Sequence, residues 1–550
     1  MNVVRQLLAD LARAGVKEWV VATGARNLVL VRELMQARDA WLWHGFEERS
    51  CGFFALGRIQ GGAGPVAVVT TSGTAVAELL PAVIEAHYQG LPLVVVTADR
   101  PPHFRGSGAP QAIEQAGLLR PYCRLTADLT ADGRNVSDDN PWTVPERLPW
   151  NSPTHINLCL EEPQAPTGFE DNWCLPPGDQ PPTAAEHGSQ SSDAEAERQV
   201  AAFLQRDRPT LVLVAGLNSD DERVAVADWL RRMQLPALWE CTAGWGDPAV
   251  IVGEVSASGT QTPPGQPAQE ALLKQVSVGQ VLRIGSVPSW RWWRDLEQRT
   301  EVEVLSLSRS GHRGLARSAG CRGLAVDLAG MKYWNTEPAT SPADLPDDPI
   351  AERLLEKCQR LPRAEPALLA ALNRALDSRA TVFIGNSLPI REWNLVSAGV
   401  SARRCHAARG ANGIDGQVSH ALGLVSHSEE GWLVIGDLTA LYDLSGPSWI
   451  AQMTRNRPGI KIRIVVVNNG GGKIFSRMPA FAGLTAEQRK VTENLHQKSF
   501  AGWARLWGLE HQEFHTANEI TLDRLRNLPD HMILELRPDE SDTTRFWNNG

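Results

Sequence analysis

Short apolar runs rich in β-branched residues alternate with helical patterns along most of the chain. The first third contains VKEWVVATG, GPVAVVTTSG and LPLVVVTADR, and each run ends in small or polar residues. Helical patterns such as AVAELLPAVIEAHYQG lie between these runs. Strands that are apolar on both faces must be covered on both sides, so this rhythm predicts parallel sheets with crossover helices. We therefore predict an α/β fold.

Two polar stretches divide this alternation into three predicted domains. The chain has 550 residues, which is too many for one hydrophobic core. The periodicity is lost over 164–196 and again in NTEPATSPADLPDDP, where Pro, Ser and Asp are frequent. We predict three doubly wound parallel-sheet domains, at 1–165, 185–335 and 350–550.

Composition and charge exclude several classes of protein. The net charge of -9 argues against non-specific binding of nucleic acid. The sequence has no apolar run of about 18 residues, so no membrane span is expected. The N-terminal MNVVRQLLADLARAG carries Arg5, Asp10 and Arg13 within its apolar pattern, which predicts an amphipathic helix rather than a signal peptide. The eight cysteines form no CxxC pair, which favours reduced thiols and a cytoplasmic location.

Oxygen-bearing residues follow two predicted strands of the last third. The run WLVIG is followed by Asp437, and about thirty residues later IRIVVV is followed by Asn468, Asn469 and three glycines. Ligands of parallel sheets lie outside the carboxyl ends of the strands. A carboxylate, an amide oxygen and a backbone carbonyl suit Mg²⁺, which completes its shell with phosphates and water. The same residue types are common in turns after strands, so a plain turn is the alternative interpretation.

These two segments resemble the signature of thiamine-diphosphate enzymes, which begins with Gly-Asp and ends with Asn-Asn. Here the signature reads Gly436-Asp437-Leu438 and closes at Asn468-Asn469. The resemblance implies that Asp437, the Asn469 side chain and the Gly471 carbonyl bind Mg²⁺ or Mn²⁺ and hold the diphosphate of the cofactor. It also implies a pyrimidine-binding first domain, a central domain and a last domain that binds diphosphate and metal.

Such a site needs a carboxylate from another domain, which hydrogen-bonds the aminopyrimidine ring of the cofactor and activates it. The run WLWHGFEERSCGFFALG contains Glu47 and Glu48, and neighbouring residues point to different sides. The family pattern places the carboxylate just before Arg, so the resemblance implies Glu48. Without the resemblance, both glutamates would be interpreted as solvated charges on a loop. In these enzymes the segment that matches Thr71, Ser72 and Gly73 lies close to the pyrimidine ring.

Several further segments resemble the family of the menaquinone-pathway enzyme 2-succinyl-5-enolpyruvyl-6-hydroxy-3-cyclohexene-1-carboxylate synthase. They include FEER, TSGTAVAELLPAVIEA, TADRPP, GNSLPIR, ARGANGIDG, GDLTALYDL and NNGGGKIFSRMP. These segments cover most of the first and last domains, whereas the central domain matches weakly. The resemblance implies a decarboxylating transferase that acts on 2-oxoglutarate with thiamine diphosphate and adds the remaining four-carbon unit to isochorismate.

Both implied substrates are anionic, and a guanidinium pairs bidentately with a carboxylate, so the site should contain arginines. A single arginine is more often part of a surface ion pair. The resemblance implies carboxylate binding near the cofactor by Ser387, Arg391 and Arg409, an isochorismate side with Arg26, Arg100, Gln111 and Arg291, and an apolar wall of Ile474, Phe475 and Met478. Further cofactor contacts are implied for Gly385, Asn386, Gly413, Ile414, Gly436, Leu438 and Gly472, with Ile414 holding the bent cofactor.

The chain departs from the family pattern on the implied isochorismate side, at Ala25, Pro110 and Trp292. These changes remove hydrogen-bond donors and leave the cofactor side intact. Two alternatives therefore stay open, which are another thiamine-diphosphate decarboxylase or carboligase with a different acceptor, and a catalytically degenerate binding protein. Since Glu48 and Asp437 lie in different domains, and two subunits supply these halves in the superfamily, we expect a homodimer or homotetramer.

Overall fold

The computed structural model describes residues 3–163, 173–177, 190–235, 237–244, 276–343, 350–397, 404–478, 481 and 483–548. Most of the predicted linker over 164–196 lies outside these ranges, as do the predicted domain limits at 165 and 185 and residues 344–349 of the second polar stretch. The chain divides into two compact units. The first consists of Met1–His187, Ser419–Ser426 and Ser445–Asn456, and the second consists of the remaining residues.

The first unit contains a six-stranded sheet in the order β2-β1-β3-β4-β6-β5, and all its neighbouring strands run parallel. Its strands are β1 Glu18–Ala22, β2 Trp41–Gly45, β3 Val66–Thr70, β4 Leu93–Asp99, β5 Leu125–Leu129 and β6 Thr154–Cys159. Its helices are Val3–Arg13, Leu28–Gln36, Glu48–Arg58, Thr74–Glu78, Leu80–Gln89, most of Gln417–Val425 and Trp449–Asn456, with a π-turn at Ile59–Ala63 and 3₁₀ turns at Pro102–Phe104, Arg120–Tyr122 and Gly446–Ser448.

The burial of the central strands shows that both faces of this sheet are covered. Every residue of β1, β3, β4 and β6 is buried, whereas the edge strands β2 and β5 have partly exposed residues. The predicted N-terminal helix packs Leu8 and Leu11 into the same core. The prediction of buried parallel strands with crossover helices is therefore confirmed for this unit.

The second unit contains two parallel sheets. The first, called the central sheet, has the strand order β11-β10-β9-β7-β8. The WRWW segment lies beside this sheet, and Trp290, Trp292 and Trp293 are buried in its core. Packing in the hydrophobic core accounts for these three indoles. The strands are β7 Thr210–Val214, β8 Ala237–Trp239, β9 Gln280–Ile284, β10 Glu303–Ser308 and β11 Cys321–Ala325, with helices Gln190–Leu204, Asp220–Met233 and Arg291–Asp295 and 3₁₀ segments Cys241–Ala243 and Leu328–Tyr333.

The other sheet of the second unit has six parallel strands in the order β13-β12-β14-β15-β17-β16. Its strands are β12 Thr381–Ile384, β13 Arg404–His406, β14 Glu430–Gly436, β15 Lys461–Val467, β16 Glu510–Phe514 and β17 His531–Leu536. Its helices are Ile350–Arg360, Glu365–Ala375, Leu388–Val396, Asp437–Tyr442, Ala486–Thr492, Ala501–Leu506, Leu522–Arg526 and Glu540–Asn548, with 3₁₀ turns at Phe475–Arg477 and Ala517–Glu519.

The register of β14 and β15 brings the two predicted strand ends together. These strands are neighbours, and Gly436 pairs with Val467 at their carboxyl ends. The next residues along the chain are Asp437 on one side and Asn468 on the other. Parallel pairing therefore aligns the two halves of the signature at one edge of the sheet. The α/β fold class with three parallel sheets is confirmed, and the predicted domain limits stay predictions.

None of the helices in the described residues combines the length and the apolar character that crossing a membrane requires. All eight cysteines are free thiols.

Candidate active site

The carboxylate of Asp437 is clamped by the loop that follows β15. Its Oδ2 accepts hydrogen bonds of 2.9 Å from the N–H groups of both Gly470 and Gly471. Its Oδ1 accepts a 2.7 Å bond from the N–H of Leu438. Gly471 has a φ of +141°, and a Cβ placed there would lie 2.5 Å from the Glu493 carbonyl oxygen. Only glycine fits this close approach, so the loop can wrap around the carboxylate.

Burial controls the charge of this carboxylate. Asp437 is 2% exposed. Burial raises its pKa to about 7, although the three backbone N–H groups act in the opposite direction, and nearby Glu365 adds a smaller increase. A buried carboxylate is stabilised in its charged form by a nearby cation. The Asp437 site is therefore electrostatically suited to a cation.

The side chain of Asn469 completes this edge of the sheet. Its amide nitrogen donates to the two Glu365 carboxylate oxygens at 3.0 and 3.2 Å. Its buried Oδ1 has no hydrogen-bond partner among the described residues. A buried acceptor without a partner is costly, so it indicates a missing ligand. With Asp437 it offers two hard oxygen atoms, which is the donor chemistry that Mg²⁺ prefers. The residues present therefore fit a divalent cation.

A cavity of about 550 Å³ lies at this edge, entirely within the second unit. Its walls include thirteen of the predicted site residues, namely Asn386, Ser387, Arg391, Arg409, Ile414, Gly436, Asp437, Leu438, Asn469, Gly471, Gly472, Ile474 and Phe475. The predicted residues Gly385, Gly413 and Met478 are not among the lining residues. Gly413 instead accepts hydrogen bonds from Asn386 and Gln417 through its carbonyl oxygen.

Arg409 carries a buried positive charge into the cavity. Its guanidinium donates to the Asn386 side chain at 3.1 Å and to the Val287 carbonyl at 3.3 Å. Its Nε has no hydrogen-bond partner, and no carboxylate pairs with it among the described residues. A buried guanidinium without a counter-charge favours an anionic ligand.

Ser387 and Arg391 come from the loop and first turn of helix Leu388–Val396. Ser387 has a φ of +73°, which is uncommon outside glycine and costs strain. Its carbonyl oxygen accepts a hydrogen bond from the Arg391 guanidinium. This contact fixes the arginine against the cavity wall, and the strained serine orients the start of the helix.

The apolar wall is held from behind by an ion pair. Ile474 and Phe475 line the cavity, whereas Met478 is 38% exposed. Between them, Arg477 donates to the buried Glu392 at 2.7 Å and stacks over Trp547 at 4.5 Å. Burial raises the pKa of Glu392 well above its ordinary value, and nearby Glu365 raises it further. Arg477 thus anchors the wall segment to helix Leu388–Val396.

The central sheet supplies a different arginine from the predicted one. The side chain of Arg291 is 72% exposed, lies 3.8 Å from Asp295 and does not line the cavity. Arg294, three residues later on the same short helix, does line it. The Arg294 side chain has no ion-pair partner among the described residues, so its charge is available to a ligand.

In the first unit, the structure distinguishes Glu47 from Glu48. Glu47 is the N-cap of helix Glu48–Arg58, and its carboxylate accepts from the Ser50 N–H at 3.1 Å and from the Ser445 hydroxyl at 3.2 Å. Glu48 begins the helix and is half-buried. Burial raises the pKa of Glu48, and the neighbouring charges of Glu47 and Glu78 raise it further. Glu47 is thus committed to the helix start, whereas the pKa of Glu48 is raised, which is the direction that favours a general acid–base group.

The predicted pyrimidine segment packs tightly in the first unit. A Cβ on Gly24 would lie 2.5 Å from Thr71, and the buried Thr71 hydroxyl has no hydrogen-bond partner among the described residues. Gly73 is the N-cap of helix Thr74–Glu78, and no side chain caps this helix start. A Cβ on Gly73 would lie 3.1 Å from the Cα of Gln111. The Thr71–Gly73 turn and the Gln111 segment are therefore in contact.

Two predicted arginines of the first unit bond to backbone carbonyls. Buried Arg26 donates to the Leu160 carbonyl at 3.2 Å. Arg100 donates through Nε to the Pro110 carbonyl at 3.0 Å and stacks over Phe104 at 5.2 Å. Pro110 is one of the departures from the family pattern, and its carbonyl still holds Arg100 beside the Gln111 segment.

Comparison with known proteins identifies the family of the chain. Residues 1–118 match the family described as thiamine pyrophosphate enzyme, N-terminal TPP binding domain. A protein of Bdellovibrio bacteriovorus is 35% identical and covers 100% of this chain and 98% of its own length. A protein of Akkermansia muciniphila is 36% identical, over 99% of this chain and 97% of its own length. A protein of Geobacillus thermodenitrificans is 32% identical, over 86% of this chain and 83% of its own length. All three are named 2-succinyl-5-enolpyruvyl-6-hydroxy-3-cyclohexene-1-carboxylate synthase.

The chain belongs to this synthase family. The resemblance drawn from the motifs is confirmed, and so is the class of thiamine-diphosphate-dependent transferases. The full-length matches include the central sheet, which the motifs alone covered weakly. The roles of individual residues in this synthase family member stay predictions.

Several residues that the fold brings to the synthase cavity or to Asp437 were not predicted from the sequence. Glu365 lies a hundred residues before its partner Asn469, and its only local signal is a Glu-Pro pair at a helix start. His496 lies with its Nε2 3.3 Å from Asp437 Oδ2, and Arg294 lines the cavity from the central sheet. Nothing in the spacing of these residues indicates such contacts.

The Gly471 loop generates a direct test. In Gly471→Ala the added methyl group would meet the Glu493 carbonyl, and the loop would have to move away from Asp437. We expect Mg²⁺-dependent binding of thiamine diphosphate to weaken roughly tenfold, since strain at positive φ costs about 1–3 kcal/mol. Isothermal titration calorimetry measures this affinity. Gly502→Ala, in a helix with open space around the glycine, is the matched control and should bind normally. Equal affinities for both variants would contradict the proposed loop geometry.

Proposed function

We propose that this protein decarboxylates 2-oxoglutarate and transfers the remaining four-carbon unit to isochorismate, as the family resemblance implies. The observation that carries the proposal is that Asp437 and Asn469 line the same cavity as Arg391 and Arg409. A cation-binding edge and two guanidinium groups in one cavity suit a diphosphate cofactor beside an anionic substrate. The product would belong to menaquinone or phylloquinone biosynthesis.

Asp437, the Asn469 side chain and the Gly471 carbonyl would hold Mg²⁺ or Mn²⁺, and with it the diphosphate of the cofactor. Thiamine diphosphate, when bound, supplies the electron sink for loss of CO₂ from a 2-oxo acid. Glu48 would exchange a proton with the aminopyrimidine ring, and its raised pKa supports that role. Thr71, Ser72 and Gly73 would contact the same ring.

The cavity walls suit a reaction that water would divert. Arg391 and Arg409, with Ser387, would bind substrate carboxylates, and the unpaired Nε of Arg409 supports this. Ile474 and Phe475 would form an apolar wall that excludes water from the reacting carbon. We keep Ile414 as the residue that holds the cofactor in its bent form, because it lines the same cavity.

The acceptor side would use Arg26, Arg100 and Gln111 of the first unit together with one arginine from the central sheet. Arg291 is the residue that the family pattern implies. The lining of the cavity favours Arg294 instead. The departures at Ala25, Pro110 and Trp292 favour one rival function, in which the same cofactor chemistry serves a different acceptor.

We also propose that the protein works as a homodimer or homotetramer in the cytoplasm, without nucleic acid as a partner. The free cysteines and the net charge of -9 support these expectations. The family resemblance, in which two subunits supply the two halves of each site, supports pairing Glu48 of one copy with Asp437 of another.

The proposed function predicts the products of one incubation. With Mg²⁺, thiamine diphosphate and 2-oxoglutarate, the purified protein should release CO₂ slowly, and isochorismate should increase the rate and yield the succinylated adduct. CO₂ release and adduct are measured by coupled assay and mass spectrometry. Omission of Mg²⁺ is the control. Release of CO₂ without an adduct would favour the different acceptor, and a failure to bind thiamine diphosphate would favour a degenerate binding protein.

The two neighbouring arginines of the central sheet give a matched pair of variants. Arg294→Gln should raise the KM for isochorismate roughly tenfold or more, because a lost charge-assisted hydrogen bond costs about 1.5–3 kcal/mol. Arg291→Gln removes the same charge from the same helix and should change this KM less than about twofold, because an exposed ion pair contributes little. Steady-state kinetics at saturating 2-oxoglutarate provide the measurement. The reverse pattern would reject Arg294 and support Arg291.

A further inference from the structure

A fully buried glutamine in the first unit forms a hydrogen bond with the turn Thr71–Gly73, which is the predicted pyrimidine turn. Gln115 is 0% exposed, and its Oε1 accepts a 2.9 Å hydrogen bond from the Gly73 N–H. Gly73 has a φ of +85°, a backbone conformation that residues with a Cβ atom rarely adopt. A buried N–H needs a partner, and Gln115 provides it. Gln115 thereby fixes the backbone of the Thr71–Gly73 turn.

The amide nitrogen of Gln115 forms hydrogen bonds with strand β4, which leads into Arg100, and with strand β6. Its Nε2 donates to the Ala98 carbonyl at 3.0 Å and to the Asn157 Oδ1 at 2.8 Å. Asn157 in turn donates to Asp99 at 3.0 Å and to Asp128 at 2.8 Å. The amide nitrogen of Gln115 donates two hydrogen bonds and its oxygen accepts one, so the orientation of the amide is determined by its neighbours.

This network ends at the backbone of a predicted acceptor-binding residue. The buried carboxylate of Asp99 accepts a 2.8 Å bond from the Arg100 N–H and a 3.0 Å bond from Arg105. Arg105 also binds Asp128 through two hydrogen bonds of 2.6 and 2.8 Å. The hydrogen bonds thus run without a break from Gly73 through Gln115, Asn157 and Asp99 to Arg100.

Gln115 also belongs to the segment that carries Gln111. That segment packs on Gly73, since a Cβ there would lie 3.1 Å from the Cα of Gln111. Gln111 itself has a φ of +58°, a strained conformation that the surrounding contacts must maintain. The Gln115 bond to Gly73 holds the segment and the turn together at their second point of contact.

We propose that Gln115 is a positioning residue that sets the distance between the pyrimidine turn and the acceptor-binding residues Arg100 and Gln111. The proposal rests on the proposed function of this site. A neutral amide suits the position because it accepts from Gly73 and donates to Asn157 at once. Glutamate would direct a carboxylate at the Asn157 and Ala98 oxygens, and asparagine is one methylene too short to span both partners.

The test compares two buried glutamines. Gln115→Met should weaken binding of thiamine diphosphate, measured by calorimetry with Mg²⁺ present, about tenfold, the loss expected when a buried N–H loses its partner. The KM for isochorismate should rise, and the KM for 2-oxoglutarate should change little. Gln280→Met is the matched control, because Gln280 is equally buried and donates to Phe203 and Thr210 in the central sheet. It should lose thermal stability and keep normal cofactor affinity.

The outcomes separate this inference from the proposed function. If the wild-type protein does not bind thiamine diphosphate, the proposed function is wrong. If the wild type binds it and Gln115→Met binds it equally, with an unchanged KM for isochorismate, Gln115 is only structural and the inference is overturned. If Gln115→Met does not fold, the milder Gln115→Asn replaces it, and the same selective loss of affinity is expected.

Discussion

The hydrogen bonds between Asp437 and three backbone N–H groups are the interaction on which the candidate site depends. A buried carboxylate is costly to charge, and neutral donors offset only part of that cost, since its pKa is still raised to about 7. The remaining cost is what a divalent cation would remove. The same bonds draw the Gly470–Gly472 loop against the strand end, where the close approach to Glu493 tolerates no side chain at Gly471. The proposed binding of a cation and of the cofactor's diphosphate would therefore rest on one local geometry.

The two compact units contribute differently to the proposed chemistry. The second unit has the cavity, the oxygen ligands and the two guanidinium groups, so it would hold the cofactor's diphosphate and the 2-oxo acid. The first unit has Glu48 and a buried polar network that runs from Gly73 to Arg100, so it would activate the ring and orient the acceptor. The departures at Ala25 and Pro110 both lie in this first unit. The third departure, Trp292, lies in the second unit, on the same short helix as Arg294.

The sequence was sufficient to predict the parallel sheets and the paired strand ends, because central strands such as β4 and β15 contain runs of β-branched apolar residues that lead into polar ones. The edge strand EHQEF of β16 was missed because it is polar and hydrophobic periodicity is absent there. Glu365 and Gln115 escaped prediction for another reason. Each acts through a partner that is distant in sequence, and a single buried polar residue has no periodic signal.

Complementation between two inactive variants tests the central claim that Glu48 and Asp437 act on one cofactor shared between two chains. Glu48→Gln and Asp437→Asn should each abolish adduct formation. Co-expression with two different tags isolates mixed dimers, in which one site carries both substitutions and the other carries neither. We expect these mixed dimers to recover about half of the wild-type activity, as the symmetry of a dimer with shared sites requires. Mixed dimers that form and remain as inactive as the separate variants would contradict it.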